Sequence, residues 1–356
     1  MKKNILLITG GTGGHVIPAE NFYNYLVKQN IDCKIMVDQR GKKYIKIIND
    51  KIKIIKSSNL SGNFILKIYG FFNLIIGFIK SFFVILYLKP DIVISFGSYA
   101  SFFPMISCII LKRFYNIKIF IHEQNTILGR TNSFFAGFAE KLFLNFDISL
   151  KLKQELRKKI YVVGSPENEN IDSTYKKNEL KDLFTIFITG GSQGSEFISK
   201  FATNLIKRID KEKSINVKFI MQCPKHLIKH IEHELINIRS PLKIKEYFYN
   251  IDEILKNTSL SISRAGAGTI RDLINYEIPS ILIPLPTSKD NHQFHNASIM
   301  SNNQVAIIIN QKKNEINKAK EYIDKIYNSS YNFNKEGFKK IKVKNTNSLI
   351  YKLISK

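Results

Sequence analysis

Residues 5–15 read ILLITGGTGGH and residues 184–195 read FTIFITGGSQGS. Each is an apolar run closing on Ile-Thr-Gly-Gly, followed by small residues and a helix-like stretch. A buried strand running into a glycine-rich turn and then a helix is the opening unit of a doubly wound α/β domain. The two tetrapeptides begin at Ile8 and Ile188 in a chain of 356 residues. The repeat therefore predicts two similar domains, in keeping with ~100–200 residues per domain. Further apolar runs at 32–38, 91–95, 117–121, 160–163, 216–221, 259–263 and 280–284 alternate with helical stretches, the pattern of parallel sheets covered on both faces. Ligands of such sheets bind at the carboxyl ends of strands. That directs the search to Gly10–His15, Phe96–Ser101, His122–Asn125, Gly190–Gly194 and Arg264–Thr269.

Composition narrows the class. Hydrophobic residues make up 44% and charged residues 23%, ordinary globular values that exclude disordered, collagenous and coiled-coil chains. Cys33, Cys108 and Cys223 include no CxxC pair, which excludes a disulfide framework or a cysteine-type zinc site and suits a reducing compartment. The apolar run opening at Ile5 is too short for a signal peptide and reads as a first strand, so the chain is expected in the cytoplasm. The net charge is +25, but Lys outnumbers Arg 46 to 8 amid abundant Ile, Asn and Phe, the mark of a coding bias. Specific nucleic-acid readers favour the bidentate Arg fork, and no nucleic-acid motif is present, so nucleic acid is not an expected partner.

The stretch 64–88, FILKIYGFFNLIIGFIKSFFVILYL, is long enough to span a bilayer at about 20 residues. Lys67, Asn73 and Lys80 interrupt it, and a charge near the bilayer centre costs roughly 2.5 kcal/mol or more. The strand at 91–95 also belongs to the first domain, which a true span would divide. A surface helix resting on a membrane, with its lysines snorkelling, fits better than either a span or a plain core helix.

The turns carry the chemistry. Gly10-Gly11-Thr12-Gly13-Gly14-His15 lacks the Gly-Lys-Ser/Thr of a P-loop, and Val16 stands where a dinucleotide fingerprint needs its last glycine. It reads either as an anion cradle at a helix N-terminus or as a tight structural turn. His15 is either a structural histidine or a base near its operating pH. His122-Glu123-Gln124-Asn125 places polar side chains directly after a strand, where loops carry function. Thr126 breaks HExxH and no Asp-x-Asp occurs, so neither device supplies a metal site. Gly190–Gly194, with Ser192 and Gln193, repeats the cradle. Ser263-Arg264-Ala265-Gly266-Ala267-Gly268-Thr269 adds a third small-residue turn, and Asp272 is placed to take ribose hydroxyls or to complement the helix dipole. Gln293 and Asn296, three apart, share a helix face and suit sugar hydroxyls or solvent.

In order and spacing, GGTGGHVIPA, SFGSYASFFP, HEQNTILGRTN, GGSQGS, SRAGAGT and HQFHNA resemble the MurG family of bacterial cell-wall glycosyltransferases, from Ile5 to about Ala297. The resemblance implies a GT-B fold: two Rossmann-like doubly wound domains facing a cleft. It divides the chain into an acceptor- and membrane-binding domain over 1–163, a UDP-GlcNAc-binding domain over 164–335 and a C-terminal helix over 336–356 that packs back on the first domain. It implies inverting transfer of GlcNAc from UDP-GlcNAc to lipid I at the cytoplasmic face of the inner membrane, with no cofactor or metal. Thr12, Gly13, Gly14 and Tyr99 fall in the turns of the first domain, near the acceptor and donor diphosphate. Asn125 is implied to meet a GlcNAc hydroxyl, Ser192 with Gln193 a donor phosphate, and Phe248 the uracil. Ala267, Gly268 and Thr269 meet phosphate and sugar, Asp272 the ribose, and Gln293 with Asn296 the sugar. His15 is the first choice of base; Glu123 is either the second choice or a group that orients the acceptor or His15. The stretch 64–88 is similar to the family's membrane patch, whose lysines attract anionic lipid.

Three positions depart from the family pattern. Asp272 stands for the usual Glu, Asn168 for a donor-contacting Arg, and Ser98 for one glycine of the usual GGY. Two other readings stay open: a GT-B enzyme with a different lipid or small-molecule acceptor, and a nucleotide-sugar-binding protein without catalysis.

Overall fold

A computed structural model describes residues 3–47, 49–57, 64–149, 152–168, 183–191, 194–212, 215–313, 315–329 and 334–356, with backbone alone at 49 and 64–72. The first sheet comprises β1 (Ile5–Ile8), β2 (Cys33–Asp38), β3 (Ile52–Ile55), β4 (Ile92–Ser95), β5 (Lys118–Glu123), β6 (Lys141–Leu144) and β7 (Ile160–Val162). They lie in the order β3-β2-β1-β4-β5-β6-β7, every pairing parallel. The second sheet comprises β8 (Phe184–Thr189), β9 (Val217–Gln222), β10 (Leu242–Lys245), β11 (Leu260–Ser263), β12 (Ser280–Leu282) and β13 (Ala306–Ile308). Its order, β10-β9-β8-β11-β12-β13, is again parallel throughout. The two sheets share one winding, as the repeated ITGG segments predict, and each reverses direction beside its first strand.

Burial on both faces explains why β1 is apolar without alternation. Ile5 and Leu7 face a core with Val16, Phe22 and Leu26, whereas Leu6 and Ile8 face Met105, Ile121 and Phe135. Strands β3, β6, β10 and β13 were not among the expected runs. Three of these are sheet edges, where one flank lacks a partner strand and short, lysine-bearing strands such as Leu242–Lys245 are favoured. Strand β5 is longer than expected: His122 and Glu123 pair with Phe143 and Leu144, so they are strand residues and not the start of a loop.

Two compact units result, one of Met1–Asn170 with Val343–Lys356 and one of Ile171–Lys342. The joints expected at 163/164 and 335/336 fall inside these units for local reasons. Gly164 O accepts from His122 Nε2, Pro166 O from Asn21, and Glu167 O from Asn347, which ties 164–167 to the first unit. Helix Lys335–Ile341 stays with the second: Phe338 is buried and Lys342 Nζ reaches Asn275 O and Glu277. The last helix, Thr346–Ser355, buries Ile350 and Ile354 in the β1 core. Lys3 and Lys141 donate to its final carbonyls at Ser355 and Leu353, where cations offset the negative helix end.

The stretch 64–88 is one helix, Phe64–Leu88, packed on helix Phe102–Leu111. Leu74, Ile85 and Leu88 point inward, while Ile75, Ile79, Phe83 and Tyr87, spaced by four, form an exposed stripe that Ile76 widens. Among the described residues no helix is long and apolar enough to cross a membrane.

Candidate active site

The expected residues of the first unit lie at the carboxyl ends of β1, β4 and β5 or in the turns that follow them. The turn after β1 opens helix Gly13–Lys28, with Thr12 as its N-cap. No described group accepts from the N–H of Gly13 or Gly14, which leaves the positive helix end open. Gly11 takes φ +76°, and a Cβ there would lie 2.8 Å from Ser98 Oγ. Across from it, Gly97 (φ 82°) and Ser98 (φ 75°, ψ 153°) turn the chain after β4 into the short 3-10 turn that starts at the exposed Tyr99.

His15, half-buried in the first helical turn, places Nδ1 2.9 Å from Phe96 O. A carbonyl only accepts, so Nδ1 carries the proton and the neutral ring keeps its lone pair on Nε2. Among the described residues nothing pairs with Nε2. Phe96 in turn stacks on His122, with ring centroids 5.3 Å apart. His122 is fully buried; its Nε2–H donates to Gly164 O (2.8 Å) and its Nδ1 accepts from Gln124 Nε2 (2.7 Å). Burial pushes its pKa down to about 4, against a smaller opposing effect of the Gly164 carbonyl. His122 therefore stays neutral as a rigid support for Phe96.

Of the two roles expected for Glu123, its surroundings suit the orienting one. It is 1% exposed. Oε1 accepts from Asn125 N (2.9 Å) and Asn125 Nδ2 (3.1 Å), and Oε2 from Gly129 N (2.8 Å) and Asn132 Nδ2 (2.8 Å). A carboxylate filled by four donors has no lone pair left for a substrate proton. Its geometry is that of an anchor ordering 124–132 and presenting the half-buried Asn125.

In the second unit helix Ala267–Asn275 starts at Gly266 without a side-chain cap, so Ala267, Gly268 and Thr269 supply open N–H groups. Asp272 Oδ1 accepts from Arg271 Nε (2.9 Å) and Nη2 (2.7 Å), leaving Oδ2 without a partner among the described residues. Gln293 Oε1 accepts from Leu285 N (3.0 Å) and Ala265 N (3.4 Å), which fixes its amide at the same turn. Asn296 is fully buried and donates to Ala265 O (3.1 Å), bracing the same turn. Phe248 is buried edge-on to Phe187. Ser192 and Gln193 lie outside the described residues. Among the described residues no three His, Cys, Asp or Glu side chains stand together as a metal site.

Two organising residues were not assigned from the sequence. Asp38 ends β2 and Arg264 follows β11. Arg264 is 8% exposed and donates to Ile283 O, Pro284 O, Gln311 Oε1 and Ser195 Oγ at 2.9–3.3 Å, binding the ends of neighbouring strands together. Its position inside SRAGAGT was the available signal; its acceptors, scattered from 195 to 311, were not.

Comparison with known proteins agrees with this layout. The profile of the glycosyltransferase family 28 N-terminal domain matches residues 5–144, and that of the C-terminal domain matches 185–351. The chain is 33% identical over 331 residues to the "UDP-N-acetylglucosamine--N-acetylmuramyl-(pentapeptide) pyrophosphoryl-undecaprenol N-acetylglucosamine transferase" of Rickettsia canadensis (strain McKiel), covering 92% of each chain. It is 34% identical over 307 residues to the protein of the same name from Rickettsia bellii (strain RML369-C), covering 84% of this chain and 83% of that one. Among solved structures, Acinetobacter baumannii MurG superposes with a TM-score of 0.74 at 19% identity over 99% of each chain. A UDP co-structure of S. aureus MnaA reaches 0.63 at 14% identity, covering 99% of this chain and 96% of that one. At these identities the structures speak to the fold alone, whereas both domain profiles and the Rickettsia relatives decide the family: the chain belongs to glycosyltransferase family 28.

Proposed function

We infer that the protein transfers N-acetylglucosamine from UDP-GlcNAc to the 4-hydroxyl of the MurNAc unit of lipid I, forming lipid II for peptidoglycan synthesis. The names of its family-28 relatives support the substrates, and the His15–Phe96 bond carries the mechanism. With Nδ1–H held on Phe96 O, His15 Nε2 accepts the hydroxyl proton as the acceptor oxygen attacks C1 of GlcNAc. The C1–O bond to the diphosphate breaks in the same displacement, the anomeric centre inverts, and UDP leaves with the electron pair.

Negative charge grows on the leaving diphosphate, so fixed N–H dipoles at Ala267, Gly268 and Thr269 stabilise the transition state more than the ground state. Asp272 Oδ2 takes ribose hydroxyls, Gln293 and Asn125 take GlcNAc hydroxyls, and the Phe248 segment takes the uracil. Thr12, Gly13, Gly14 and Tyr99 receive the acceptor, and Ser192 with Gln193 a donor phosphate. Glu123 acts through Asn125 as a positioning residue. The stripe Ile75, Ile79, Phe83 and Tyr87, flanked by exposed Lys80 and Lys89, rests on the anionic cytoplasmic face of the membrane, where the lipid acceptor resides.

The test is UDP release by purified protein with UDP-GlcNAc, with and without a lipid I analogue. Acceptor-dependent release with a disaccharide product is expected, and His15→Ala should lower kcat at least a hundredfold, at the low end of general-base contributions. Donor binding without turnover on that acceptor would move the protein to a different acceptor or to a binding role.

A further inference from the structure

The two units repeat one turn but complete it with different charges. In the first, the turn amide of Gly11 donates to Asp38 Oδ1 at 2.8 Å. Asp38 is the last residue of β2, the neighbour of β1. The same oxygen accepts from Gly41 N (2.9 Å), while Oδ2 accepts from Ser57 Oγ (2.8 Å) and Arg40 Nε (2.9 Å). In the second unit the corresponding residue, at the end of β9, is the neutral Gln222. There Gly191 N donates to Thr189 Oγ1 (3.0 Å), which donates to Gln222 Oε1 (2.9 Å), and Gln222 Nε2 reaches Gly191 O (3.3 Å). Thr9, the first unit's counterpart of Thr189, is buried, and its hydroxyl has no partner among the described residues, since Asp38 reaches the turn directly.

We propose that Asp38 is a positioning residue for the transfer: a built-in anion that occupies the Gly11 amide, fixes the turn carrying helix Gly13–Lys28 and His15, and leaves nucleotide binding to the second unit. An acid at the end of the second strand is where a dinucleotide fold grips ribose. Here that acid is 1% exposed and its oxygens are spent on four donors, so it offers a ribose nothing and repels a phosphate at Gly11. Burial alone would raise its pKa. The bonds from Gly11, Ser57, Gly41 and Arg40 outweigh burial and hold it below the ordinary carboxylate range, so the anion persists at working pH. Gly10 is hemmed in by Ala100 and by the same carboxylate, since a Cβ there would lie 2.5 Å from Ala100 Cβ and 2.8 Å from Asp38 Oδ1.

The inference rests on the proposed transfer to lipid I, and steady-state kinetics of the full-length chain with UDP-GlcNAc and a lipid I analogue separate the two. Wild-type chain that releases no UDP with that acceptor sinks the underlying reading. If it turns over, Asp38→Asn, nearly isosteric but uncharged, is expected to lower kcat at least tenfold with the KM for UDP-GlcNAc within about threefold. Ser57→Ala and Arg40→Ala, which each remove one Oδ2 partner and leave the Gly11 bond in place, should show the same split to a smaller degree. Gly11→Ala, which displaces the turn from the Ser98 side, should reproduce the split between kcat and donor KM should Asp38→Asn fail to fold. Unchanged kinetics in Asp38→Asn, or equal loss of donor binding and turnover in the folded variants, would overturn the assignment.

Discussion

Replacing Ser98 with glycine should make the first unit more stable. Ser98 holds φ 75° and ψ 153°, a region that only glycine occupies freely. Such a backbone costs about 1–3 kcal/mol. Its hydroxyl returns little, accepting one long bond of 3.4 Å from Ala100 N, worth about 0.5 kcal/mol. Glycine also adds about 0.4–1 kcal/mol of unfolded-state entropy. The mid-range balance is a net gain of about 1 kcal/mol, which in a domain of this size raises Tm by about 2–4 °C. Ser98→Ala is the control: it keeps the strained backbone, loses the bond, and should melt slightly below wild type. Differential scanning calorimetry of the three proteins, resolving the transition of the first unit, reads the order directly. A glycine variant melting at or below wild type, or an alanine variant matching it, would refute the claim that Ser98 stores backbone strain.

Other outcomes follow from the same geometry. His122 has its pKa lowered to about 4 in the fold against about 6.5 when unfolded, so the unfolded chain binds the proton more readily. Its contribution is complete above pH 6.5 and lost as pH falls toward 4, a decline of about 3 kcal/mol; urea unfolding between pH 7 and 4 should show it, and His122→Gln should flatten it. Glu123→Gln turns one acceptor oxygen into an NH2 facing two donors, which should cost about 2–4 kcal/mol in denaturant unfolding and lower kcat for transfer while sparing the KM for UDP-GlcNAc. The double variant Ile79→Ser, Phe83→Ser alters only exposed side chains, so its unfolding free energy should hold within about ±0.5 kcal/mol of wild type. Its co-sedimentation with phosphatidylglycerol vesicles should weaken at least tenfold, given about 0.8 kcal/mol per buried CH2.

The repeated ITGG segments made the architecture legible, because parallel strands buried on both faces write themselves as unbroken apolar runs. Edge strands such as Leu242–Lys245 were hidden for the opposite reason: half of their surroundings are solvent. Within the site, the turns were legible and the supports were not. His15 was visible as a polar residue opening a helix, but the Phe96 carbonyl that selects its tautomer is a backbone group 81 positions away. Glu123 was read as a chemical group because it follows an apolar run. Only the strand's extra length and the fold of 124–132 onto it reveal an acid consumed by its own loop. Periodicity put Gln293 and Asn296 on one helix face but could not say that Asn296 is the one fully covered.

These supports also bear on how mutations in the first unit combine. Gly164 O and Gln124 lock His122; His122 stacks on Phe96; the Phe96 carbonyl holds His15 Nδ1; and the turn at Ser98 leaves no room for a side chain at Gly11, whose amide Asp38 retains. The loops after β1, β4 and β5 thus form one contiguous set of contacts, and a change in any of them reaches the same imidazole. Energies in such a set do not add. Removing His122 and His15 together should cost scarcely more turnover than removing His15 alone, because the support has nothing left to orient. Asp272 and Gln293 belong to the second unit, where their proposed partner is the donor, so their effects on donor binding should combine with it nearly additively. That contrast separates residues acting through His15 from those acting on the leaving nucleotide, using kinetics alone.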